Sequence, residues 1–132
     1  MEPMDVAGRN ELHYAALAND LPAAEARLAA GDDPNYADAE GFTPLHFAAQ
    51  ERAVEVARLL LDHGADVDPV NVHGNTPLFT AVFNSRGDGS VIELLRASGA
   101  DPFRENLSGQ TPVGLARLIG NYDVARFFAD LP

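Results

Sequence analysis

Gly41-Phe42-Thr43-Pro44-Leu45-His46-Phe47-Ala48-Ala49 decides the fold, because altered copies of it recur at nearly constant distance. Gly74-Asn75-Thr76-Pro77-Leu78-Phe79 begins 33 residues later, and Gly109-Gln110-Thr111-Pro112-Val113-Gly114 another 35 residues on. Leu12-His13-Tyr14-Ala15-Ala16 lies 33 residues before the equivalent Leu45–Ala49. A period in the low thirties, with one turn signal and two helical patterns per copy, is the mark of a solenoid array. Each Thr-Pro pair starts a helix. The threonine hydroxyl accepts a hydrogen bond from a free backbone N–H, and proline at the first helical position loses no bond by lacking its own. Asn10-Glu11 does the same in the first copy, with an acid where the helix dipole favours negative charge. Leu45, Ala48 and Ala49 then share one face, and the small alanines let a second helix approach closely.

Gly-x-Thr-Pro-Leu-His-x-Ala-Ala followed by Leu59-Leu60-Leu61-Asp62-His63-Gly64-Ala65-Asp66 resembles the ankyrin repeat over almost the whole chain, roughly residues 8 to 131. The resemblance implies an all-α fold, an α-solenoid of stacked helix-turn-helix repeats with projecting hairpin fingers. The chain divides on this reading into a tail, residues 1–7, and one domain, residues 8–132, with repeats at about 8–40, 41–73, 74–108 and 109–132. Expected helices in the second repeat are 44–51 and 54–63, with Gly64 as a left-handed stop and Val56, Leu59, Leu60 and Leu61 buried. In the first repeat Arg27 stands where the second has Leu60, as suits an end repeat whose outer face meets water. The third repeat has two extra residues within 84–90, a longer turn that changes the local surface. A last helix is expected at about 122–130, with Phe127 and Phe128 closing the core.

The 132 residues suit one domain. Cysteine is absent, which excludes disulfides and thiolate metal or redox sites and agrees with a reducing compartment. The start Met1-Glu2-Pro3-Met4-Asp5 lacks a basic, apolar leader, and no apolar run is long enough to cross a bilayer. A cytoplasmic protein is expected. All nine basic residues are arginine, a composition that fits a GC-rich bacterial source. Net charge is −11: residues 1–68 hold 14 acids against 4 arginines, and residues 69–132 hold 6 against 5. Such a surface repels nucleic acid and anionic membrane and favours a basic partner.

Catalytic and metal chemistry find no foothold. His13 and His46 share one repeat position, where the resemblance implies hydrogen bonds that tie a helix start to its neighbours. His63 and His73 lie near Asp62, Asp66 and Asp68, but a structural zinc needs four converging ligands, and solvated turn acids explain the cluster. Arg86-Gly87-Asp88 matches an adhesion tripeptide and is taken as a loop. With no lysine in the chain there is no phosphate-cradling loop of the Gly-Lys type.

A non-catalytic protein-binding module follows, with no cofactor, no metal and a monomeric state. The resemblance implies contacts from finger tips and first helices along a concave face. Those positions are Tyr36, Glu40, Phe42, Val70, Val72, His73, Asn75, Arg104, Glu105, Leu107 and Gln110 from the fingers, together with Ala37 and Ala39. Gln50, Glu51, Phe83 and Asn84 come from the helices. The expected role is a small acidic inhibitor or immunity-type protein that neutralises a basic partner. An adaptor in a larger assembly is the alternative, and an enzyme with an unrecognised site is the distant one.

Overall fold

The computed structural model describes residues 7–132. The expected tail lies outside these residues except for Ala7, whose carbonyl accepts the Ala39 N–H at 2.8 Å. Seven α-helices follow in order: α1 Glu11–Leu17, α2 Leu21–Ala29, α3 Pro44–Gln50, α4 Val54–Asp62, α5 Pro77–Phe83, α6 Ser90–Ala97 and α7 Pro112–Leu118. A short 3-10 helix, Ala125–Phe128, ends the series, and no strand occurs among the described residues. The fold is all-α. Helices α1, α3, α5 and α7 pack side by side as an inner row, while α2, α4 and α6 form an outer row against them.

The caps act as their sequences demand. Thr43, Thr76 and Thr111 accept hydrogen bonds from the backbone N–H groups of His46, Phe79 and Gly114, and Asn10 accepts from His13. Gly64 stops α4 at φ 89°, a left-handed conformation that costs glycine little. The core is a strip running through the stack rather than a central ball. Leu12, Leu45 and Leu78 on the inner row and Val56, Leu60, Ile92 and Leu95 on the outer row are fully buried or nearly so.

Two burial expectations need correction. Val56 and Leu60 are buried, but Leu59 and Leu61 are half-buried. On a helix these two lie about 100° to either side of Leu60, whereas Ala57, three residues back, shares its face and is buried. The last helix is also shorter than expected, reduced to the 3-10 turn 125–128, a form that chains use for short pieces. Phe128 is buried there, while Phe127 is half-buried. Arg96 ties this end down, donating to both carboxylate oxygens of Asp130 at 2.8 and 2.9 Å and lying 5.2 Å from the Phe128 ring centre.

The long turn 84–89 is not a free surface loop. A Cβ on Gly89 would collide with the Phe127 ring, and one on Gly87 would meet Tyr122 at 3.3 Å. Arg126 also donates to the Gly87 carbonyl at 3.3 Å. The extra residues buttress the abbreviated last unit. Within this turn Asp88 accepts from the Ser90 N–H at 3.0 Å, and that bond holds its carboxyl below the usual range.

The fingers are turns closed by repeated bonds. In each, one N–H donates to the carbonyl four residues on: Asp38 to Phe42, Asn71 to Asn75 and Asn106 to Gln110. The Asp38, Asn71 and Asn106 side chains accept two further N–H groups apiece. A single backbone bond joins neighbouring fingers, Val72 N–H to Glu40 carbonyl and Leu107 N–H to His73 carbonyl. Gly74 permits the second joint, because a Cβ there would stand 2.8 Å from the Leu107 nitrogen.

Candidate functional site

Each of the first two repeats holds a buried histidine between finger and inner helix, and the second adds a ring pair. His46 accepts the Thr43 N–H through Nδ1 at 3.1 Å and donates from Nε2 to the Asn75 carbonyl at 2.8 Å. His13 does the same with Asn10 and the Phe42 carbonyl. Each imidazole joins its own helix cap to the next finger. Both rings are fully buried, and desolvation favours the neutral form, lowering His13 and bringing His46 down to about 4. In front of these histidines Phe47 stacks on Phe42, with ring centres 5.3 Å apart, and the Arg9 guanidinium lies 4.9 Å from the centre of the Phe47 ring.

The third repeat departs from this arrangement at every one of those places. Position for position, Phe79 replaces His46, Thr80 replaces Phe47 and Asn75 replaces Phe42. The ring pair becomes a threonine and an asparagine, and the lost volume is not refilled. A cavity of about 420 Å³ opens there, lined by Phe42, Gln50, Asn71, His73, Asn75, Phe79, Thr80, Phe83 and Asn84. That volume falls within the range of binding pockets, about 300–1,000 Å³.

Of the residues expected to bind, Phe42, Gln50, His73, Asn75, Phe83 and Asn84 meet on this cavity. Phe42 has two roles: one face stacks on Phe47, and the residue also walls the cavity. Glu51 is exposed next to Gln50, whose amide donates to its carboxylate at 3.1 Å. Glu40 and Val72 are exposed on the fingers that flank the cavity. Tyr36 lies elsewhere, its ring edge-on to His13 at 5.9 Å. Val70, Arg104, Glu105, Leu107 and Gln110 are exposed on the fingers but outside the cavity lining.

Asn71, Phe79 and Thr80 belong to the lining and were not foreseen. The signal for them was the set of third-repeat departures, which becomes a site once aligned with the ring pair of the second repeat. Phe83 and Leu118 occupy the position of Gln50 on successive inner helices. They are 70% and 73% exposed, so the apolar character of this face extends from the cavity toward the last repeat.

The polar groups at the cavity are amides, a hydroxyl and one imidazole, all able to pair with peptide groups. Among the described residues no group of three or more histidines, aspartates or glutamates is placed to hold a metal ion. Around the turn acids, His63 Nδ1 lies 2.9 Å from the Leu59 carbonyl. Asp68 accepts the Asp101 N–H at 3.0 Å while its other oxygen is buried without a partner. Desolvation there raises its pKa. No helix among the described residues is long and apolar enough to cross a membrane.

No curated protein matches the chain. The family model described as ankyrin repeats (3 copies) matches residues 12–106, a span that contains the buried histidines, the ring pair and the cavity. With that match over most of its length, the chain belongs to the ankyrin repeat family.

Proposed function

We propose that this chain binds a basic protein at the cavity between the first and second fingers and helices α3 and α5, and acts by occupying that partner rather than by catalysis. Ankyrin repeats form a protein–protein interaction module. The observation that carries it is the convergence of Phe42, Gln50, His73, Asn75 and Phe83 on one cavity lined by three phenylalanines and four side-chain amides. Aromatic anchors ringed by polar groups are where binding energy concentrates.

Charge supports the choice of partner in two ways. Glu40 and Glu51 flank the cavity, while Glu25, Glu55 and Asp62 lie exposed on the outer row. The outer acids lie on the other row of helices and add to the field that draws a basic molecule in chiefly at low salt, because exposed charges are screened beyond about 8 Å at physiological ionic strength. The test is capture of partners from the source organism with the wild-type chain and with Phe83→Ser. A partner that is basic, lost with the serine variant and silenced in its own activity when bound agrees with the proposal. An acidic partner, or equal capture by both proteins, contradicts it.

A further inference from the structure

Resting on that reading of the cavity, we infer that the partner inserts an aromatic side chain, with a basic residue beside it, into the space that the third repeat leaves where the second holds its Phe47 ring. The repeat itself supplies the template. Phe47 is buried in the angle between finger and inner helix, stacked on Phe42 at an interplanar angle of 13° and edge-on to His13 at 5.6 Å. The position of Phe47 falls to Thr80 one repeat on, that of His13 to His46, that of Phe42 to Asn75 and that of Arg9 to Phe42. Thr80, Asn75 and Phe42 all line the cavity. Of the groups that hold the Phe47 ring, the third repeat keeps a buried histidine, His46, and brings the Phe42 ring in place of Arg9, while Asn75 stands in place of the stacking phenylalanine and the inserted ring is missing.

What fills the space must match its walls. Phe42 and Phe79 favour a planar apolar group, since aromatic pairs gain from offset or edge contacts beyond the area they bury. Asn75, Gln50 and Asn84 bring amides that can pair with the backbone on either side of such a group. Asn75 Oδ1 already accepts from Asn106 at 2.8 Å, and Asn84 Nδ2 donates to the Thr80 carbonyl at 2.9 Å. These bonds fix the two amides in place. The cavity lining contains no arginine or carboxylate; next to it in the chain, Glu40 and Glu51 are exposed, and Arg52 donates to the carbonyl of the lining residue Asn84 at 3.0 Å. A basic residue adjacent to the inserted ring, on the side of Glu40 and Glu51, meets these carboxylates without burying a charge.

Thr80→Phe restores the ring from within and is the decisive variant. It should keep the fold, because Thr80 borders a cavity of about 420 Å³ with room for a ring, and circular dichroism melts check this. The probe is a library of random linear peptides displayed on phage and selected on the full chain. Expected are peptides that share an aromatic residue next to arginine or lysine. Their synthetic forms should bind Thr80→Phe about thirtyfold more weakly or worse, the loss that removal of one hot spot produces. Phe83→Ser changes an exposed side chain, so it carries the test if Thr80→Phe fails to fold, and it should weaken the same peptides. Selected peptides that lack an aromatic residue or prefer acids, yet are weakened by these variants, overturn this inference and leave the cavity as the binding site. Peptides indifferent to both variants overturn the inference and the proposed site together. A selection that enriches nothing also overturns the inference.

Discussion

Acidification should unlock the stack at His46. Its imidazole is fully buried, accepts a hydrogen bond at Nδ1 and has its pKa lowered from 6.5 to about 4, with burial as the main cause and the bond to Asn75 acting against it. The unfolded chain therefore binds this proton more readily than the folded one. Stability contributed by the neutral ring is fully present above the unfolded value of 6.5 and is lost as pH falls toward the folded value. At about 1.36 kcal/mol per pH unit, the full loss below pH 4 is roughly 3 kcal/mol, and about 2 kcal/mol has gone by pH 5. His13 is shifted in the same direction and adds to the slope. Asp68, raised by burial, opposes it, and the relief of negative net charge on acidification also favours the folded state. Comparison with His46→Gln cancels those shared terms. Urea melts of both proteins at pH 7, 6 and 5 give the slopes; the wild type should lose about 2 kcal/mol more than the variant between pH 7 and 5. Equal slopes would refute the reasoning, and so would a His46 ring that titrates near 6.5 by NMR.

Leu60→Ala removes a fully buried side chain from the outer row and should cost about 2–5 kcal/mol in the same melts; Leu61→Ala, half-buried, should cost clearly less. Gly89→Ala puts a methyl group into the Phe127 ring, so it should lower the melting temperature and speed amide exchange in residues 112–128, with little change in α1 and α2. Reversal of Glu40 and Glu51 to arginine should slow association with a basic partner and flatten its salt dependence, and leave the melting temperature nearly unchanged because both side chains are exposed.

The fold was legible because its signals are local and repeated. Thr43, Thr76 and Thr111 cap as their Thr-Pro pairs require, Gly64 stops its helix, and Leu60 lies where the helical period places it. Leu59 and Leu61 were misjudged because a run of three leucines exceeds what one buried stripe can cover. The shortened last helix was hidden by its aromatics: Phe127 and Phe128 kept the apolar spacing, but the chain forms only one 3-10 turn there. The turn 84–89 looked like a free insertion because sequence does not reveal that Gly87 and Gly89 receive Tyr122 and Phe127. Phe42, Gln50, His73, Asn75, Phe83 and Asn84 could be named as surface positions from the repeat alone. Their meeting on one cavity could not, because a void arises from what Thr80 and Asn75 lack relative to Phe47 and Phe42.

Amide hydrogen exchange with and without a captured partner protein tests the central claim most directly. Binding in the cavity predicts added protection in the second finger around residues 71–75 and at the C-terminal ends of α3 and α5, with α4 and α6 on the outer row unchanged. Protection confined to α4 and α6, with residues 71–84 exchanging as in the free chain, would contradict it.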